Sequence, residues 1–242
     1  MDMYKHCAVS SLEGRSNIEG LDHGNTTPEG FKQHYTLKAQ EYDAQYQKNG
    51  WREIVEKAVE IFLDALRGIP RKGSFYVLDA GAGTGLVGEQ LDRARESTLS
   101  DSPRPQRRLH VYAQDITRAM LVQALQKEVY EGAEVSDVCD EKAALRHQKA
   151  FDGIISVGLF GGTVDPKEGI PKLLLQCKPG GVVVVASRES YFEEEFKPFI
   201  RDHLNNESYR VEYTPPMALD EVGQQSKSGR SVFVTISKLL KA

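Results

Sequence analysis

The sequence predicts an α/β chain in which a mostly parallel sheet is covered on both faces by helices. Three observations carry that prediction. The apolar run Val77-Leu78-Asp79-Ala80 leads into three alternate glycines, Gly81, Gly83 and Gly85, the pattern of a strand entering a tight turn whose backbone a ligand can approach closely. Further segments at 133–138, 151–157 and 182–187 are apolar enough for a sheet covered on both faces and are separated by helix-like stretches, as strands of a parallel sheet require. Two segments near the end of the chain, 209–213 and 231–237, alternate with period two. Their connection is too short for a crossover helix packed on the sheet, so they form an antiparallel pair.

The elements follow in order. Residues 1–28 are rich in Ser, Gly, Asn and Thr without periodicity and read as a loose tail, leaving 29–242 as a single domain. Over 29–47, Phe31, His34, Tyr35, Leu37, Ala39, Tyr42 and Tyr46 fall partly at helical spacing, and 51–66 is an amphipathic helix through Ile54, Val55, Ala58, Ile61, Phe62 and Leu66. The first strand and its glycines run into a helix at Leu86, whose free N–H groups point back at the turn. The stretch 93–108 is polar and Pro-containing, a loop. A second strand over 109–115 precedes a helix over 116–128, and a short third strand covers 133–138. The fourth strand is 151–157, a crossover helix spans 171–177, the fifth strand is 182–187 and a further helix occupies 193–205.

Composition bounds the function. With 242 residues and 40% hydrophobic side chains the chain can fill one sizeable core. A formal net charge of -4 gives no footprint of a general nucleic-acid binder. Cys7, Cys139 and Cys177 form no C-x-x-C pair and the six histidines no cluster, so no disulfide framework and no metal site is expected. No apolar run is long enough for a membrane span, and the first residues lack the apolar core of a signal peptide; a cytoplasmic protein is expected.

The glycines alone discriminate poorly, because Gly83-Thr84-Gly85-Leu86-Val87-Gly88 also satisfies the dinucleotide pattern G-x-G-x-x-G. Asp79 decides between ligands. A carboxylate at the mouth of the loop repels a pyrophosphate but suits an ammonium and a sulfonium, the groups of S-adenosylmethionine. Asp115 ends the second strand, where a Rossmann-like unit places the acid that accepts the ribose hydroxyls. It also sits where a helix N-cap is wanted, and the two roles are compatible.

The ordered set Asp79-x-Gly81-x-Gly83-x-Gly85, Asp115-Ile116-Thr117-Arg118-Ala119-Met120-Leu121, Phe151-Asp152-Gly153-Ile154-Ile155 and Lys178-Pro179-Gly180-Gly181 resembles class I S-adenosylmethionine-dependent methyltransferases. With Tyr42-Asp43-x-x-Tyr46 and Val157-Gly158-Leu159-Phe160 it is similar, more narrowly, to the methyltransferase-like group associated with the Williams-Beuren region. The resemblance implies a seven-stranded sheet with an antiparallel edge strand, and S-adenosylmethionine as cofactor. It implies close backbone contact at Gly81, Gly83 and Gly85, the methionine end near Asp79 and the ribose at Asp115. It places Asp137 toward the adenine amino group, with Asp140 as a competing choice, and adds Ile116, Met120, Val138 and Val157 as apolar neighbours of the cofactor.

The acceptor site belongs at the carboxyl end of the fourth strand, at Gly158 and Phe160, with Arg188 past strand five and Tyr35, Tyr42 and Tyr46 as an N-terminal lid. Each has a plain packing alternative. Methyl transfer is an in-line displacement at an activated carbon, so holding the nucleophile and excluding water are the enzyme's main contributions and no catalytic triad is expected. A small-molecule acceptor is favoured by the compact chain. The alternatives are a protein or nucleic-acid methyltransferase, opposed by the absence of an Asn-Pro-Pro-Tyr-like signature after strand four, and a catalytically silent binding module acting through a partner. An NAD-dependent oxidoreductase is opposed by Asp79.

Overall fold

The computed structural model describes residues 28–39, 43, 51–70, 73–98, 108–161, 163–218 and 229–240. The proposed tail before Pro28, and Tyr42 and Tyr46 of the lid, lie outside them. In chain order the elements are α1 (Pro28–Lys38), α2 (Trp51–Arg67), β1 (Phe75–Ala80), α3 (Leu86–Thr98), β2 (Leu109–Asp115), α4 (Arg118–Gln126) and β3 (Gly132–Val135). There follow α5 (Glu141–Arg146), β4 (Phe151–Val157), α6 (Pro166–Gln176), β5 (Cys177–Arg188), a helix α7 over 189–204, β6 (Tyr209–Tyr213) and β7 (Ser231–Lys238).

The strands form one seven-stranded sheet in the order β3-β2-β1-β4-β5-β7-β6. All neighbours from β3 to β5 pair in parallel, whereas β7 runs antiparallel to both β5 and β6. The one antiparallel strand, β7, is thus inserted between β5 and the outermost β6, which runs in the direction of β5. The order reverses between β1 and β4, and at such a switch point the loops after β1 and β4 diverge and leave a crevice.

Alternation along β5 divides the core. Val182, Val184 and Ala186 face one cluster with Phe62 and Leu66 of α2, Leu91 of α3 and Val77 and Val111. Val183 and Val185 face the other, with Leu173 of α6, Phe192 and Phe196 of α7 and Val234 and Ile236. A sheet buried on both faces needs apolar residues at successive positions, which explains the unbroken run Val182–Val185. Helix α2 offers Ile54, Val55, Ala58, Val59, Phe62 and Leu66 as its buried stripe.

Several boundaries differ from expectation, each for a local reason. Strand β3 ends at Val135 rather than 138 because the Asp137 carboxylate bonds the Cys139 N–H at 2.9 Å and turns the chain. Helix α4 starts at Arg118, not 116, because the preceding Thr117 is extended (φ -106, ψ 110). Helix α6 begins five residues before the expected 171: Asp165 caps it by accepting from the Lys167 N–H at 2.8 Å, and Pro166 takes the first turn, where no N–H is needed. Strand β5 begins at Cys177, expected to end the preceding helix, rather than at 182. Asp152, 3% exposed, accepts from the Tyr76 N–H and from Lys178 Nζ, both at 2.9 Å, and so fastens Lys178 across β4 where the β4–β5 register shifts. Helix α7 begins at 189, not 193, and alternates short α-helical and π-helical segments. No helix among the described residues is long and apolar enough to cross a membrane.

Candidate functional site

Asp79 shares the face of Val77 on β1 and is fully buried. A buried carboxylate without partners is costly, and one arrives from far along the chain. The Tyr130 hydroxyl donates to Asp79 Oδ2 at 2.6 Å and accepts from the Gly88 N–H at 3.0 Å. Asp79 Oδ1 has no hydrogen-bond partner among the described residues. Burial pushes the Asp79 carboxyl up to about 7, opposed by the Tyr130 bond and reinforced by the negative charge of Asp115. The site therefore holds a buried acceptor with one oxygen uncommitted.

Gly88 is explained by the same tyrosine: a Cβ there would lie 2.3 Å from the Tyr130 ring. Its place in G-x-G-x-x-G is a packing requirement of the Asp79–Tyr130 pair. Sequence reasoning missed Tyr130, 51 residues from its partner; the one clue was a glycine in the first helical turn, where a bulky neighbour needs the space.

The turn itself runs through Gly81, Gly83 and Gly85 at φ +73, +53 and +88, values that a branched side chain resists. The N–H groups of Gly81 and Ala82 both bond to the Gln114 carbonyl, at 2.8 and 2.9 Å, which ties the turn to the end of β2. Asp115 completes the tie. Its Oδ2 accepts from the Gly83 N–H at 2.9 Å and its Oδ1 from the Thr117 N–H at 2.7 Å. Each oxygen keeps a further lone pair. Burial raises the Asp115 carboxyl, while the bonds from Thr117 and Gly83 oppose the rise. Asp115 is not the N-cap of α4, since that position is Thr117, whose side chain makes no capping bond.

The remaining cofactor candidates divide. Ile116 is half-buried beside Asp115. Met120 is 1% exposed, Val138 is 5% exposed within the α6–α7 side of the core, and Val157 is half-buried against the α2 side. Asp137 and Asp140, left as competitors by their spacing, have different tasks: the Asp140 carboxylate caps α5 by accepting from the Lys142 N–H at 2.9 Å, whereas Asp137 is half-buried just past β3.

The N-terminal segment reaches the same end of the sheet. Helix α1 packs on α4. The Thr84 hydroxyl donates to the Asp43 carboxylate, whose other oxygen pairs with Lys127 Nζ at 2.8 Å, and that ammonium also meets Glu89 at 3.0 Å. Tyr35 is half-buried; its hydroxyl is raised by burial and by the charge of Asp115, and lowered by Arg188. Tyr35 thus lies within electrostatic reach of the ends of both β2 and β5. Neither Thr84 nor Lys127 stood out in the sequence.

On the acceptor side, Gly158 turns the chain at φ +86 and Leu159 lies against Gly81, 3.2 Å from the position of a Cβ there. Phe160, expected at the acceptor, is fully buried. Its ring meets Phe196 edge-on at 5.8 Å and fills the space left by Gly169, so it is a core residue: the turn at Gly158 sends it inward. Arg188, half-buried at the end of β5, lies against Gly161.

No family model matches the sequence, and no curated protein matches it. Solved structures do. The plantazolicin methyltransferase BpumL in complex with SAH superposes with TM-score 0.59 at 12% identity, covering 88% of this chain and 99% of that one. Magnesium protoporphyrin IX methyltransferase (ChlM) from Synechocystis PCC 6803 with bound SAH gives TM-score 0.58 at 16% identity, covering 87% and 99%. A methyltransferase described as putative, in complex with the Haloferax volcanii Trm112 methyltransferase activator, gives TM-score 0.58 at 14% identity, covering 87% and 98%. The chain has the Rossmann-like fold of class I S-adenosylmethionine-dependent methyltransferases, with the glycine turn and both carboxylates at the carboxyl end of its parallel strands.

Proposed function

We propose that the protein is an S-adenosylmethionine-dependent methyltransferase acting on a small-molecule acceptor, of the methyltransferase-like group associated with the Williams-Beuren region. The observation that carries the reading is Asp79: buried, half-satisfied and beneath a positive-φ glycine turn. A dinucleotide pyrophosphate is repelled there, whereas an ammonium donor supplies the bond that Oδ1 lacks. The residues present fit the cofactor: Asp79 Oδ1 for the ammonium, the spare lone pairs of Asp115 for the ribose hydroxyls, Asp137 for the adenine amino group and Ile116 for the apolar flank. Met120, Val138 and Val157 back the site from the core. BpumL and ChlM, which share the fold, have SAH bound.

When bound, the cofactor supplies a methyl group on a sulfonium, already activated for displacement. The chain's own contribution is positional. The glycine turn is held to β2 by three N–H bonds, from Gly81, Ala82 and Gly83, the Thr117 N–H steadies the Asp115 carboxylate, and Leu159 closes over Gly81. Helix α1 and the Asp43–Thr84 contact cover the crevice as a lid and exclude water. A general base is needed only where the acceptor must lose a proton before or during attack.

Incubation with methyl-labelled S-adenosylmethionine and a metabolite extract tests this, with label expected in small molecules. Label in protein or nucleic acid favours those acceptors, and cofactor binding without turnover favours a silent module. Gly83→Val serves as the control: it is expected to fold, by circular dichroism, and to lose binding of S-adenosylhomocysteine, because a β-branched residue resists φ +53. A folded variant that binds normally removes the turn from the site.

A further inference from the structure

Resting on the methyltransferase reading, we propose that the acceptor carries an anionic group, a carboxylate or a phosphate, and that Arg188 binds it. Arg188 is the last residue of β5, beside β4 in the sheet. Its side chain lies over the β4 loop, Cγ and Nε standing 3.8 and 3.9 Å from where a Cβ on Gly161 would be. The Tyr35 hydroxyl of α1 feels both this guanidinium and the Asp115 carboxylate, so the two charges lie within electrostatic reach of one tyrosine.

The nearby carboxylates bond to other partners. Glu189, its neighbour in sequence, pairs with Arg230 at 2.6 Å, and Asp115 is held by Gly83 and Thr117. Among the described residues, Arg188 itself has no ion pair and no side-chain hydrogen bond. A half-buried guanidinium without a counter-charge carries a desolvation cost that a ligand anion relieves. The planar fork suits a carboxylate or a phosphate held through two parallel bonds. Asp79 is the corresponding device of opposite sign, an uncommitted oxygen for the ammonium, so the crevice presents one unmatched group for each ligand.

The cofactor's own carboxylate is the rival source of the anion, and the experiment separates the two. A metabolite extract is split on an anion exchanger into retained and unretained pools. Each pool is incubated with methyl-labelled S-adenosylmethionine and the full-length protein, as parent, Arg188→Leu and Arg188→Lys, and the affinity of each for S-adenosylhomocysteine is titrated in parallel. Label is expected from the retained pool alone. Arg188→Leu is expected to lower incorporation roughly tenfold or more through KM, with S-adenosylhomocysteine affinity within about twofold of the parent, while Arg188→Lys keeps the charge and recovers part of the loss. Phosphatase treatment of the retained pool abolishes labelling if the anion is a phosphate and leaves it if a carboxylate. Label from the unretained pool, label from neither pool by a protein that binds S-adenosylhomocysteine, or parental KM in Arg188→Leu overturns the proposal. So does a tenfold loss of S-adenosylhomocysteine affinity in Arg188→Leu, which assigns the guanidinium to the cofactor. Failure of the parent to bind S-adenosylhomocysteine is a separate result that removes the methyltransferase reading itself.

Discussion

Two carboxylates, Asp79 and Asp115, share one crevice and are held by different means. Asp79 is deep, bonded through one oxygen to a tyrosine, and pushed up to about 7. Below that value it is protonated and a poor acceptor for an ammonium; above it, it is ionised and a strong one. Affinity for S-adenosylhomocysteine is therefore expected to rise with pH, by roughly tenfold between about pH 6 and about pH 8, and Asp79→Asn is expected to flatten the profile. Calorimetric titrations across that range check it, and a pH-independent parent contradicts it. Asp115 bonds two backbone N–H groups and is expected to add about 1.5–3 kcal/mol to binding through the ribose hydroxyls, so Asp115→Ala weakens the complex about ten- to a hundredfold. Asp140→Ala leaves binding unchanged, because Asp140 caps α5; it costs about 1 kcal/mol of stability instead. Equal binding losses in the two variants contradict the assignment. Asp79 and Asp115 were legible in the sequence because each ends an apolar run, a local pattern. Tyr130 was not, because its bond to Asp79 is made only when β2 and the segment before β3 return to the side of β1.

At the scale of elements, helix α3 enters the site through a glycine that serves a tyrosine. Gly88→Ala drives a methyl group into the Tyr130 ring, which cannot swing away without breaking its bond to Asp79. It is expected to destabilise the protein by about 1–3 kcal/mol, read as a lower denaturation midpoint at unchanged slope, and an unaffected midpoint contradicts the packing account. Strands and helices were legible where one periodicity ran long, as in α2 and the Val182–Val185 run. Boundaries were lost where a single side chain decides them: the Asp165 cap that starts α6 early, the Asp137 turn that ends β3 early, and the Asp152–Lys178 pair that draws Cys177 to Gly181 into β5. Each is a contact of one side chain with one backbone group or one cation, invisible to hydrophobic patterning. Phe160 was misread for a related reason, since the loop residues look alike in sequence and only the turn at Gly158 separates the one facing inward.

Across the whole molecule, alternation of strand and helix foretold the parallel sheet, and the period-two pair foretold its antiparallel edge. The insertion of β7 between β5 and β6 follows from the continuous apolar face that Val232, Val234 and Ile236 share with β5. That order puts the loops after β1, β2, β4 and β5, which carry Asp79, Asp115, Leu159 and Arg188 at or beside the strand ends, at one end of the sheet. In the proposed function this end binds S-adenosylmethionine and its demethylated product S-adenosylhomocysteine rather than a dinucleotide. Calorimetric titration of the purified chain with S-adenosylhomocysteine and with NAD, under the same conditions, tests it most directly: saturable binding of the first and no heat from the second is the predicted result, and saturable NAD binding with no response to S-adenosylhomocysteine would contradict it.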